Sequence, residues 1–121
     1  MLTQDWMMRQ IETLTLAIAK IMFQKDTAEY EPHGGQEVLT AADSLHAALN
    51  ALLREGRIAD GEDLLFSALD GDDSSLLEVA VDFYFRLNLL SDQALEAGNF
   101  SRQEIEEGLH DVMDLYGVVL P

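Results

Sequence analysis

Apolar residues recur every three or four positions along most of this chain, and period-two runs of β-branched residues are missing, so the pattern predicts helices and no sheet. Over residues 4–24, Met7, Ile11, Leu14, Ile18 and Ile21 fall on one stripe, with Thr3 as the N-cap. A second helix, 37–55, places Val38, Ala41, Leu45, Ala48, Leu49 and Leu52 on one face, and Gly56 follows as its stop. A third, 59–70, carries Leu64, Leu65, Ala68 and Leu69. Turn residues Asp70-Gly71-Asp72-Asp73 end it, and Ser74 or Ser75 caps a fourth helix expected to reach Ala97. That fourth helix is apolar all round, from Leu76 and Val79 to Phe83, Tyr84, Leu87 and Leu90, which predicts a central position. After Gly98, Ser101 caps a fifth helix with Ile105, Leu109, Val112, Met113 and Tyr116 on its inner stripe, closed by Gly117.

The expectation is therefore an all-α domain of five helices, arranged as a right-handed array of helical hairpins or as a bundle. Residues 1–121 read as one domain: an N-terminal helical segment (1–25), a linker (26–36) interrupted by Pro32 and a flexible Gly34-Gly35 joint, and helical hairpins (37–121).

Charge changes the picture most. The chain carries 23 acidic and 7 basic side chains, a net −16, which argues against nucleic acid, whose phosphates are bound chiefly by Lys and Arg. Asp5 and Glu12 against Arg9, Lys20 and Lys25 leave residues 1–25 at +1, so the remainder holds −17. Between Arg57 and Arg86 stand Asp60, Glu62, Asp63, Asp70, Asp72, Asp73, Glu78 and Asp82 with no cation among them, a run that reads as a solvated face or, as the alternative, a docking surface for a basic partner. Without cysteine there is no disulfide framework or thiolate zinc site, which fits a reducing cytoplasm. The first residues lack the basic cluster and apolar run of a secretory signal, and no stretch is apolar for the roughly 20 residues a membrane span needs.

The segment from Leu45 to Leu69 resembles a tetratricopeptide-type helical hairpin, with Gly56-Arg57-Ile58 at the family's turn and Gly61, Leu65 and Ala68 at its small, large and small positions. Leu49 stands where the family usually has a small residue, and its closing proline is absent. Gly98-Asn99-Phe100 repeats the turn, but Gln103, Glu107 and His110 replace the apolar positions of the following helix. This resemblance implies a right-handed hairpin array that binds protein. The opening Asp5-Trp6-Met7-Met8-Arg9-Gln10-Ile11-Glu12 also resembles that of a family of short bacterial proteins with no assigned function, which implies a helical fold and a bacterial cytoplasm.

Candidate chemistry is thin. Glu107-Gly-Leu-His110 and Asp43-Ser-Leu-His46 have the spacing of carboxylate-bundle metal motifs. At about 100° per residue, however, His110 lies about 100° and Glu107 about 160° from Leu109, and the same holds for His46 and Asp43 about Leu45. Both pairs are expected to face solvent. Asp70-Gly-Asp72-Asp73 lacks the glycine and bidentate Glu of a calcium loop and reads as a capping turn, while Gly34-Gly35 lacks the residues of a phosphate loop. No residue is singled out as catalytic, cofactor-binding or metal-ligating.

The first helix shows a second apolar side, with Met8, Leu16, Ala19 and Phe23 about 120° to 200° from Leu14. That side is the expected face for a protein partner or a twin subunit, the alternative being a helix buried from both sides by its own chain. The reading is a non-enzymatic interaction scaffold or oligomerisation module without cofactor, its partner another protein or a second copy in a homodimer. The alternative is a small helical ligand-binding protein or enzyme with its pocket beside the fourth helix. Attachment of the first helix to anionic lipid fits poorly with its near-neutral charge.

Overall fold

The computed structural model describes residues 2–32 and 40–120, with side chains from residue 5 onward, and every regular element in them is a helix. They run α1 (Leu2–Phe23), α2 (Ala41–Arg54), α3 (Ile58–Ala68), α4 (Ser74–Leu89), α5 (Asp92–Ala97) and α6 (Arg102–Tyr116). A helix apolar over most of its circumference is stable only when largely surrounded, and α4 is: α1, α2 and α6 pack about it, and Leu77, Val79, Ala80, Phe83, Tyr84 and Leu87 keep almost no exposed surface. The third helix lies against α2, completing a hairpin.

Helix ends follow local capping chemistry. Thr40 starts α2 through a capping box, its hydroxyl accepting from the Asp43 N–H while the Asp43 carboxylate accepts from the Thr40 N–H. The expected start at residue 37, with Val38 on the stripe, and the Gly34-Gly35 joint lie outside the described residues. The first helix already includes Thr3, so that residue sits inside its first turn rather than ahead of it.

The described residues form six helices where the sequence pattern predicts five, because the fourth does not reach Ala97. It stops at Leu89, Leu90 is extended, and the Ser91 hydroxyl caps α5 by accepting from the Ala94 N–H at 3.0 Å. Arg102 explains the break. Its buried guanidinium donates to the carbonyls of Asn88 (2.9 Å) and Leu90 (2.9 Å), which a continuing helix would have used, and to the Asp92 carboxylate (3.0 Å). Asn88 in turn donates to the Met8 carbonyl at 2.8 Å, tying this corner to α1.

The two glycine turns lie against each other. A Cβ added at Gly98 would stand 2.6 Å from Ile58 Cδ1 and 3.3 Å from the Gly56 carbonyl, so the chain can approach this closely only without a side chain. In the second turn's neighbourhood the preceding helix is the six-residue α5, which interrupts the hairpin that the repeat would require. Gly108 in α6 serves a different contact, since any Cβ there would overlap the phenol ring of Tyr84 on α4.

Candidate functional site

The rotation of α1 decides which of its faces is open. Ile11, Thr15 and Ile18 have no exposed surface, and Ala19 almost none. Thr15 occupies the middle of this buried arc because its hydroxyl donates back to the Glu12 carbonyl at 2.9 Å, leaving no unmet polar group. Of the four residues expected to form a second face, Ala19 is therefore inside the core, Phe23 is half-buried against it, Met8 is half-buried, and Leu16 is exposed. Apolar side chains left open lie on the opposite flank: Trp6, 63 % exposed, and Ile21, 43 % exposed, with Leu14 and Ala17 half-buried between them.

Those four line one side of a groove of about 600 Å³ between α1 and α6, whose floor is completed by Leu120 from the segment following α6. Its polar residues are Arg9, Gln10 and Thr13 from α1 and Glu106 and His110 from α6. Single exposed apolar residues need no explanation, but an exposed tryptophan bordering a concave apolar strip is the usual look of a contact surface.

His110 is exposed, as the helical geometry predicts, and lines this groove. Glu107 lines a different recess of about 390 Å³ between α3 and α6, together with Glu62, Asp63, Glu104 and Asp111. The two residues thus diverge across α6.

The other pair corrects the sequence expectation. Asp43 and His46 are buried, not solvent-facing, because the inner stripe of α2 runs through Ala42, Leu45, His46 and Leu49 while Ala41 and Ala48 are exposed. His46 Nε2 lies 3.4 Å from the Asp82 carboxylate and 3.3 Å from the Asn50 amide nitrogen, and its ring stands 5.0 Å from that of Tyr30. Tyr30 donates its hydroxyl to Asp43 at 2.6 Å and its backbone N–H to Asp82 at 2.8 Å. Arg86 Nε also donates to Asp82, at 2.8 Å. Burial and the adjacent Asp43 carboxylate push the Tyr30 hydroxyl up to about 12, and the bond to Asp82 raises Arg86.

Asp82 is therefore not part of a solvated acidic face. It is buried on α4 and held by two donors, the Tyr30 N–H and Arg86 Nε, with His46 Nε2 3.4 Å away. Glu62 is a second exception in that run: partial burial raises its carboxyl, and Tyr84 donates to it at 2.6 Å. Asp73, and not Ser74 or Ser75 as the sequence pattern predicts, is the N-cap of α4: it accepts from the Ser75 N–H at 3.0 Å, because both serines already lie inside the helix, and hydrogen bonding to Ser75 lowers its carboxyl. Among the described residues, no three His, Asp or Glu side chains are grouped to hold a metal ion, and no helix is long and apolar enough to cross a membrane.

A family model matches residues 1–117. The chain belongs to DUF6483, a family of unknown function. Comparison with curated proteins and with solved structures finds no match. In this DUF6483 chain, sequence reasoning missed Trp6, Ala17 and Ile21 as a wet face, and Tyr30, Asp82 and Arg86 as one network. A signal for the first existed: Trp6, Leu14, Ala17 and Ile21 share an arc of the helical wheel, on the far side from Leu16 and Phe23. For the second there was none, because Tyr30 lies in a loop and its partners are 13 and 52 residues away.

Proposed function

We propose that this protein is a non-enzymatic interaction module that receives a segment of protein in the groove between α1 and α6. The observation that carries this reading is the exposed apolar strip Trp6, Leu14, Ala17 and Ile21 beside Leu120, bounded by one cation, Arg9, and one anion, Glu106. A partly solvated strip of this kind gains free energy when covered, at roughly 25 cal/mol per Å² of apolar surface removed from water. The two stacked glycine turns support a scaffold of tetratricopeptide-like hairpins behind the groove, with the break before α5 as its departure from that pattern.

A photo-crosslinking residue placed at Ala17 or Ile21 in cells of the native host tests this. Discrete protein adducts are expected there and not from the same residue at Glu96, which is exposed on α5. Adducts from Glu96 alone, or from neither helix, would remove the reading. A second reading, a small-molecule site beside α4, has one observation in its favour: a recess of about 500 Å³ whose walls include Lys25, Tyr30, Ser75 and Glu78. It would be preferred if a metabolite mixture raised the melting temperature of the native chain but not of Tyr30→Phe.

A further inference from the structure

We infer that the occupant of the α1–α6 groove is the same groove of a second copy, related by a twofold axis, with Arg9 of each chain facing Glu106 of the other. The inference rests on the groove being a docking surface and names what docks.

Charge narrows the choice of partner. Two chains of net −16 repel overall, but at physiological salt only charges within about 8 Å of a contact are weakly screened, so the local balance of the contacting face decides. At the groove that balance is even, Arg9 against Glu106. The recess between α3 and α6 would bring Glu62, Asp63, Glu104, Glu107 and Asp111 against their own images, and is closed to a twin. A strongly basic partner, conversely, would be drawn to that recess rather than to the charge-balanced groove. The groove fits a surface that is apolar and charge-balanced, and this chain possesses one.

Symmetry makes the match specific. An isologous contact requires a patch complementary to itself, so that residue i of one chain meets j of the other and j meets i. A patch with one cation and one anion at its border satisfies this, forming two identical ion pairs across the axis. The shape agrees: Trp6 projects and the strip beside it is hollow, so each indole can cover the other chain's Ala17 and Ile21. The 22 residues of α1 make a helix about 33 Å long, along which two copies can lie antiparallel.

Sedimentation equilibrium across the micromolar range, with the fluorescence of Trp6, the chain's one tryptophan, is the test. The expected result is a concentration-dependent rise from 13.5 kDa to twice that mass with a parallel blue shift. Arg9→Glu and Glu106→Arg should each weaken association at least about tenfold, since each places like charges together twice. Mixed in equal amounts, the two variants should restore it, because both pairs in the heterodimer then attract. A contact within one chain could not produce that rescue.

A chain that stays at monomer mass overturns the inference, and so does a dimer that the mixture fails to restore. Circular dichroism of the variants establishes that both remain folded. If the chain is monomeric while crosslinks from Ile21 show a protein of another mass, the groove reading stands and the twin falls. If no adduct forms at the groove, both fall.

Discussion

Two places in the molecule invert the usual arrangement of a globular protein, and they do so in opposite directions. Beneath the loop at Tyr30, carboxylates are inside: Asp43 and Asp82 are almost without exposed surface, with His46 buried beside them and the half-buried Arg86 donating to Asp82. Along α1 and α6, large apolar groups are outside: Trp6 and Ile21 face water across a hollow strip. The first inversion is complete, because each buried carboxylate finds its donors within the same chain. The second is left uncovered by the described residues. A buried polar cluster satisfied from within describes a structural part, whereas the open apolar strip is the surface on which the proposed binding rests.

Four measurements break or sharpen that contrast. The largest effect is expected at Asp82. Asp82→Ala leaves the Tyr30 N–H and Arg86 without their shared acceptor, and urea denaturation should show a loss of about 3 kcal/mol, at the low end for a buried ionic group because Arg86 can turn to solvent. Asp82→Asn, which keeps one acceptor oxygen, should lose less than half as much.

Alkaline titration comes next. With its hydroxyl raised from 10 to about 12, Tyr30 stays protonated in the folded chain after it would ionise in the unfolded one, so it contributes stability below pH 10 that is lost as the pH climbs toward 12. The loss should be on the order of 2 kcal/mol. Tyr84, pushed upward by burial and by Glu62, adds to the same decline, so the difference between wild type and Tyr30→Phe isolates the buried cluster.

Gly108→Ala probes α6 on the side away from the groove. Its methyl group would collide with the fixed Tyr84 ring, and alanine's better helix propensity recovers only part of the strain, leaving a net loss of about 1–2 kcal/mol in thermal or urea unfolding. The smallest effect belongs to Ile21→Glu, on the groove itself. In dilute solution its unfolding free energy should lie within about 0.5 kcal/mol of wild type. A loss of several times that would mean Ile21 is a core residue and would dissolve the contrast.

Much of the fold was legible because it depends on periodicity alone. The central placement of α4 follows from its apolar pattern, and Ser101 and Gly117 bound α6 where their chemistry says they should, whereas α4 is capped by Asp73 and not by the expected Ser74 or Ser75. What failed was rotation. Alanines at 41 and 48 count as apolar in a pattern but gain little from burial, so they drew the apparent inner face of α2 away from His46. In α1 the error came from Thr15, a polar symbol at the centre of the buried arc whose hydroxyl is satisfied by its own helix. The break between α4 and α5 was hidden by Leu89 and Leu90, which continue the apolar run, and its cause lies 12 to 14 residues later at Arg102. The Thr40-x-x-Asp43 capping box, by contrast, was readable and would have moved the start of α2 to its observed place.

Arg102 also supplies a means of recognising this architecture elsewhere. Its planar fork reads two carbonyls and one carboxylate at once, a task that a lysine's single ammonium cannot perform. The corner it builds therefore leaves a fingerprint in sequence: an asparagine, then an aspartate four residues on, then an arginine ten residues after that. Chains that share too little else to be aligned could be sorted by those three letters, and a lysine at the third position would mark a relative in which α4 and α5 meet differently.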